Sequence, residues 1–208
     1  MDQSNISALS RRDRKKLATR LTIIEVAMSL FKQQGFNETS MEQIADQSDI
    51  SKATLYKYFE VKEAIIAAYW QERIKNSKDK LQQLITDHPD TRSRLEAAFR
   101  GFMHFIMQSR ELYEIYISYR MANITKPYIN EKLRSGNAEY AAAIIQEGQK
   151  NGEIRTDISL KVMVGNLELL SLMQSMAWLR YPEQFNLDES SKMFAELFLN
   201  GAANDAKQ

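Results

Sequence analysis

The sequence predicts an all-α protein. Gly and Pro are scarce, at 7 and 3 of 208 residues, which favours long helices over a turn-rich β architecture. Apolar residues recur at three- and four-residue spacing along most of the chain, and no segment of useful length alternates with period two. We therefore expect an N-terminal three-helix helix-turn-helix domain followed by a C-terminal helical bundle, with about nine helices in all.

The charge of the chain is concentrated at its N-terminus. The net charge is only +1, yet the first twenty residues carry six basic groups: Arg11, Arg12, Arg14, Lys15, Lys16 and Arg20. Residues 1–14 are therefore predicted to be a basic mobile arm, which suits a local anionic partner, although a solvated tail is the alternative.

Composition also limits which cellular compartment and which cysteine chemistry can be expected. The chain has no Cys, so it has no disulfide framework or thiolate metal site, and this fits a reducing compartment. The longest charge-free apolar run, residues 169–179, is far shorter than the roughly 20 residues that a bilayer span needs. We expect a soluble, cytoplasmic protein with no membrane contact and no secretory signal.

The N-terminal helices are predicted from stripes of apolar residues and from the residues that end each helix. A helix is predicted over residues 15–34, with its apolar stripe at Leu17, Leu21, Ile24, Ala27, Met28 and Phe31, and Gly35 as its stop. Thr39 or Ser40 caps a second helix that ends near Gln47. A third covers residues 52–59, and a fourth covers 62–85 before the breaker at 87–90.

Residues 39–63 have the pattern of a helix-turn-helix. Ala45 is small enough for two helices to cross closely, and Asp49 is among the better non-glycine residues for a left-handed turn. Ile44, Ile50, Leu55 and Phe59 supply the small core beneath it. Ser51 caps the third helix and leaves its first residues exposed.

The exposed residues of the third helix suit a DNA major groove. They are Lys52, Ala53, Thr54, Tyr56, Lys57 and Tyr58. Lysine can reach guanine acceptors or phosphate, threonine and alanine can meet a thymine methyl, and tyrosine can bond phosphate. The alternative is an ordinary helical hairpin with a solvated face, for which two exposed tyrosines would be unusual.

Residues 20–63 resemble the N-terminal domain of the TetR/AcrR family of transcriptional regulators. The matching residues are Ala27, Leu30-Phe31, Gly35-Phe36, Thr39-Ser40, Ile44-Ala45, Ile50-Ser51, Thr54-Leu55-Tyr56, Tyr58-Phe59 and Lys62-Glu63. The pattern departs at Asp49, where the family usually has glycine. The resemblance implies that Thr39, Ser40, Lys62 and the exposed residues of the third helix contact double-stranded DNA, with phosphate bonds from Tyr56 and Lys62.

The resemblance also implies a variable C-terminal domain, here residues 63–208, that dimerises and holds a small effector, beside a DNA-binding domain at 15–62. Further helices are predicted over 91–108, 110–122, 127–150, 158–181 and 188–202. Helix 158–181 is apolar nearly all round, so it must be covered on every side. The last two helices of each of two chains are expected to form a four-helix homodimer interface, and one thick monomeric core is the alternative.

A pocket for an apolar or aromatic effector is expected among aromatic and methionine side chains, because rings stack and methionine repacks. The candidates are Phe102, Tyr113, Tyr116, Tyr119, Tyr140, Met173, Met176 and Trp178. Plain core is the other interpretation of each. His104 and Glu168 are polar candidates for orienting a ligand.

No catalytic constellation, phosphate loop or metal motif is found in the sequence, so no enzyme activity and no cofactor are expected. The predicted function is a homodimeric repressor that a small apolar ligand releases from a palindromic operator. One alternative keeps the DNA-binding domain but docks a protein partner on the C-terminal domain. Another is a helical binding protein that does not use DNA.

Overall fold

The computed structural model describes residues 10–75, 78–123, 125 and 137–202. Within these ranges the chain is all-α and contains no β-strand, which confirms the predicted fold class. The helices are α1 Arg11–Gln34, α2 Met41–Gln47, α3 Lys52–Tyr58, α4 Lys62–Lys75, α5 Lys78–Asp87, α6 Thr91–Met107, α7 Arg110–Ala122, α8 Asn137–Lys150, α9 Leu160–Arg180 and α10 Leu187–Ala202, with a 3-10 turn at Pro182–Gln184. No helix in the described ranges is both long and apolar enough to cross a bilayer.

Helix α1 begins earlier than predicted, and this corrects the expected mobile arm. The helix starts at Arg11, where the Ser10 hydroxyl accepts a hydrogen bond from the Asp13 N–H at 3.1 Å. An N-cap of this kind supplies an acceptor to an otherwise unpaired donor of the first turn, so the polar residues 11–14 are helical. Residues 1–9 of the predicted arm lie outside the described residues.

The buried stripe of α1 is also broader than predicted. Ile24, Ala27 and Phe31 are buried as expected, and Ile23 and Leu30 join them. Leu17, Leu21 and Met28 are only half-buried. The helix ends as predicted at Gly35, whose φ of 90° is disfavoured for residues with a Cβ.

The chain divides into two compact units. The first contains Met1–Asn76 and Glu111–Arg134, and the second contains Ser77–Arg110 and Ser135–Gln208. The helix predicted over 62–85 is described as α4 and α5, with residues 76 and 77 between them outside the described residues. The predicted helix 127–150 is described from Asn137 onward. The functional division at residues 62 and 63 stays a prediction.

In the first unit, α7 packs on α4 through aromatic rings. Trp70 of α4 is buried, and its ring lies 5.8 Å from that of Tyr113 and 6.3 Å from that of Tyr116, measured between centroids. Aromatic rings at such distances attract each other beyond simple burial. Helix α7 is therefore held to the helix that directly follows the helix-turn-helix.

The second unit is a bundle of α5, α6, α8, α9 and α10. Phe99 of α6 stacks on Phe194 of α10 with 4.5 Å between ring centroids. Asp90 caps α6 by accepting a hydrogen bond from the Ser93 N–H at 2.7 Å. At the crossing of α6 and α8, a Cβ on Gly148 would lie 2.4 Å from the Thr91 hydroxyl oxygen, so only glycine permits this approach.

Candidate nucleic-acid interface

The helix-turn-helix is built by caps and a strained turn, as the sequence predicts. Ser40 accepts a hydrogen bond from the Gln43 N–H at 3.1 Å, and the Gln43 side chain accepts one from the Ser40 N–H at 2.8 Å, which completes a capping box. Asp49 has φ 53°, the left-handed conformation expected at this turn. Ser51 then caps α3 by accepting from the Thr54 N–H at 3.1 Å.

The core beneath the turn fixes the direction of α3. Ile44 and Leu55 are fully buried, and Ala45 is 1% exposed where α2 and α3 meet. Phe59 ends α3 and is 5% exposed. Because these four side chains are held on the inner face, the opposite face of α3 must point to solvent.

The predicted DNA-contacting residues of α3 lie on that open face. Lys52, Ala53, Tyr56 and Lys57 are exposed, and Tyr56 keeps 42% of its surface accessible despite being an aromatic residue. Thr54 and Tyr58 are half-buried at its edges. We call these six residues the recognition face: Lys52, Ala53, Thr54, Tyr56, Lys57 and Tyr58.

Lys52 at the start of α3 forms an ion pair with Glu42 of α2. The hydrogen bond from Lys52 holds the pKa of the Glu42 carboxyl below its usual value, and the same bond raises the pKa of Lys52. Both groups are therefore charged at neutral pH. The sequence did not predict the ion pair of Glu42, because its partner lies ten residues further along the chain.

Lys62, predicted to bind a phosphate, is used inside the domain. Its Nζ donates to the Thr39 carbonyl at 2.6 Å and to the Phe36 carbonyl at 2.7 Å, and it lies 4.4 Å from the centre of the Phe36 ring. These bonds hold the connector between α1 and α2 against the start of α4. A phosphate contact from Lys62 stays a prediction.

Of the two residues predicted at the α2 cap, Ser40 is half-buried and Thr39 is 1% exposed. The Thr39 hydroxyl donates to the Gly35 carbonyl at 2.8 Å. The Thr39 side chain is thus committed to the turn after α1, and this geometry does not support its predicted contact with DNA.

The basic residues that precede the core of α1 form an exposed helical surface. Arg11, Arg12, Arg14, Lys15 and Lys16 are all exposed on the first turns of this helix. They would meet a phosphate backbone as a helical surface over residues 11–16.

Arg20 on the same helix has another function. It is half-buried and binds Glu72 of α4 at 2.7 Å. It therefore ties α1 to α4.

The predicted ligand residues of the first unit all lie on α7. Tyr113 and Tyr116 are buried at 3% exposure, packed on Trp70 as described above. Tyr119 is half-buried, and burial, followed by the nearby Glu60 and Glu63 carboxylates, raises its pKa. Its phenol is therefore neutral well above physiological pH and can donate a hydrogen bond.

The predicted ligand residues of the second unit have mixed environments. Phe102 and Tyr140 are half-buried, and Trp178 is 6% exposed with the Arg110 guanidinium 6.0 Å from its ring. Met173 and Met176 are 62% and 38% exposed, so they do not line the core of this unit.

The two polar ligand candidates also differ. His104 is exposed and Glu168 is half-buried. Glu168 is therefore the better placed of the two to act within the unit.

Arg94 is a buried residue that the sequence did not predict. The residue is 5% exposed, and its guanidinium donates to the carbonyls of His88 at 2.9 Å and of Ile85 and Pro89 at 3.3 Å. A cation near the C-terminus of a helix is favourable, and here it closes the end of α5. A helical stripe gives no reason to expect a buried arginine.

Comparison with known proteins relates the helix-turn-helix segment to a family of regulators. Residues 23–69 match the family model described as bacterial regulatory proteins, tetR family. The HTH-type transcriptional repressor KstR2 of Rhodococcus jostii (strain RHA1) is 24% identical over 192 residues, which cover 91% of this chain and 93% of that protein.

Solved structures share the fold. The crystal structure of Thermus thermophilus FadR, a TetR-family transcriptional repressor in complex with lauroyl-CoA, matches with a TM-score of 0.76 and 24% identity, over 91% of this chain and 98% of that one. FadR of Bacillus subtilis in complex with stearoyl-CoA matches with a TM-score of 0.59 and 18% identity, over 87% and 98%.

Proposed function

Because the chain belongs to the TetR family of transcriptional regulators, and is accordingly not an enzyme, we propose that it is a homodimeric repressor which an acyl-CoA ligand releases from a palindromic operator. The observation that carries the proposal is the open recognition face of α3 above a closed helix-turn-helix core. The proposed site of action is the cytoplasm.

The recognition face divides into base-reading and phosphate-binding residues. Lys52 and Ala53 begin α3, the part of a recognition helix that enters the major groove first, and lysine pairs with guanine acceptors there. Tyr56 and Lys57 lie one turn further along and suit the phosphate backbone. Replacing Tyr56 by Phe should weaken binding to every duplex, whereas replacing Lys52 by Ala should also relax base preference.

Dimerisation is supported by an apolar face that the second unit leaves open. Leu169, Met173 and Met176 lie at spacings of four and three on α9, and each is at least 38% exposed. Met193 and Leu197 form a similar pair on α10, at 50% and 54% exposure. A second copy would meet the expectation that α9 is covered on every side, because its own unit covers only one face.

The homodimer is tested by the mass of the protein in solution. Met173→Glu places a charge within the open face and should give a monomer in sedimentation equilibrium. Gln146→Glu adds the same negative charge at an exposed position on α8, and this variant should remain a dimer. A Met173→Glu protein that is still dimeric would show that another surface makes the contact.

We infer an acyl-CoA ligand from the acyl-CoA complexes of the two FadR proteins. The mechanism of release is inferred from the packing of α7 on α4. Tyr113 and Tyr116 pack directly on Trp70 of α4, so a ligand that displaces either ring also disturbs α4. Release would then be a population shift, in which acyl-CoA binds the form whose recognition helices no longer match successive major grooves. Met173 and Met176 fit the dimer interface better than the pocket.

The experiment is a fluorescence anisotropy titration with a palindromic duplex from the chain's own promoter. Wild-type protein should bind it more tightly than an unrelated duplex of equal length. Lauroyl-CoA or stearoyl-CoA should weaken that binding at least tenfold, whereas coenzyme A alone should not. No preference for the palindrome at low salt would reject the repressor. Preference without any acyl-CoA response would reject the ligand and favour a protein partner.

A further inference from the structure

The ion pair between Glu42 and Lys52 places an acid beside the recognition face of α3. Glu42 is the second residue of α2 and Lys52 is the first residue of α3, so the pair bridges the two helices of the motif. The side chains remain 52% and 55% exposed, so both can also reach a ligand in solvent. The positive charge of Lys52, which lies at the N-terminal end of the recognition face, is thus already balanced by the Glu42 carboxylate.

We propose that Glu42 is a specificity-determining residue that suppresses binding to arbitrary DNA. The inference rests on the proposed function. Binding to arbitrary DNA depends on cations that neutralise phosphates, and Glu42 competes with a phosphate for Lys52. An exposed ion pair is weak, so an operator that offers Lys52 a guanine acceptor separates it at little cost. In the same groove, the released carboxylate can accept from a cytosine amino group.

The magnitude follows from counterion release. One additional phosphate contact steepens the dependence of log K on log salt by about 0.9, which corresponds to about eightfold in affinity near 0.1 M salt. Glu42→Gln removes the competing charge and keeps the size of the side chain. It should raise affinity for an arbitrary duplex about three- to eightfold and steepen its salt dependence by about 0.9. Affinity for the operator should change less than about twofold, because Lys52 is engaged by a base there.

Two matched variants separate this mechanism from others. Glu38→Gln makes the same change in net charge at an exposed position of the connector before α2. It should change the affinity for either duplex by less than about twofold. In a Lys52→Gln background, Glu42→Gln should have no further effect on arbitrary DNA, because the cation that it competes for is absent. Thermal melting identifies any variant whose fold is affected.

The outcomes are decisive. The proposal is overturned if Glu42→Gln raises affinity for operator and arbitrary duplex equally, if Glu38→Gln has the same effect, or if the effect persists without Lys52. A Glu42→Gln protein that melts earlier but keeps its specificity ratio would show that Glu42 only stabilises the first turn of α2. Wild-type protein with no operator preference would instead reject the proposed function.

Discussion

Replacing Lys62 by methionine distinguishes the two functions open to this side chain, which are to hold the connector before α2 and to bind a phosphate. Methionine has a similar length but cannot donate a hydrogen bond. In the structure, Lys62 makes two short bonds to the carbonyls of Thr39 and Phe36, at 2.6 and 2.7 Å, and a contact with Asn37 at 3.5 Å that is too long to count.

The expected loss of stability follows from those two bonds. A hydrogen bond that involves a charged group contributes about 1.5–3 kcal/mol, and the lower figure applies because Lys62 is only half-buried. Two such bonds contribute about 3 kcal/mol to stability. Part of this loss is offset, because the side chain regains conformational entropy when it is no longer held. We expect the free energy of unfolding to fall by about 2–3 kcal/mol, or roughly 4–12 °C in Tm.

The DNA assay gives the complementary result. If Lys62 only holds the connector, Lys62→Met leaves the slope of log K against log salt unchanged. Lys57 is the matched control, since it is exposed in the last turn of α3. Lys57→Met should reduce that slope by about 0.9 while changing stability by less than about 0.5 kcal/mol.

Lys62 does not hold the connector if the two variants exchange behaviour. A Lys62→Met protein of unchanged stability whose salt slope falls by about 0.9 would show that the side chain binds phosphate and leaves its carbonyl partners to water. Both losses in one variant would mean that Lys62 moves from the carbonyls to the DNA on binding.

Three other predictions concern stability. Gly148→Ala should destabilise the protein by about 1–3 kcal/mol in denaturant unfolding, because its Cβ would lie 2.4 Å from Thr91 Oγ1. Gly101 has open space around it, so Gly101→Ala should stabilise the protein by about 0.5–1 kcal/mol in the same assay. Asp49→Val should cost about 1–2 kcal/mol because φ is 53°, and Asp49→Gly should stay within about 0.5 kcal/mol of wild type; equal losses would refute the strained turn. Since the pKa of Tyr119 is raised, stability should be complete below its unfolded-state pKa of about 10 and fall as pH rises through the folded-state value. Tyr119→Phe should reduce this alkaline loss, and an unchanged pH profile would contradict it.

The helix-turn-helix could be predicted because its determinants are local. Ser40 and Gln43 are three residues apart, Ser51 and Thr54 likewise, and Asp49 needs only its own backbone conformation. The early start of α1 had a local signal too, in the cap formed by Ser10. It was missed because the residues that follow are polar, and a polar segment without a stripe resembles a tail.

Contacts between distant residues could not be predicted. Lys62 is 26 residues from Phe36, and Lys52 is ten residues from Glu42. Arg94 was missed because a periodic pattern assigns charged residues to the surface, while three carbonyls at the end of α5 make burial of its guanidinium tolerable.

By itself, the sequence determined an all-α chain with a helix-turn-helix whose second helix begins at Lys52, because caps, turns and stripes depend on neighbours within a few positions. The tertiary structure decided which of the candidate side chains are available. It placed Thr39 in the turn after α1, Lys62 against the connector and Lys52 beside Glu42. It also left one face of α9 open, which a stripe cannot reveal, because periodicity gives the direction of a side chain but not what covers it.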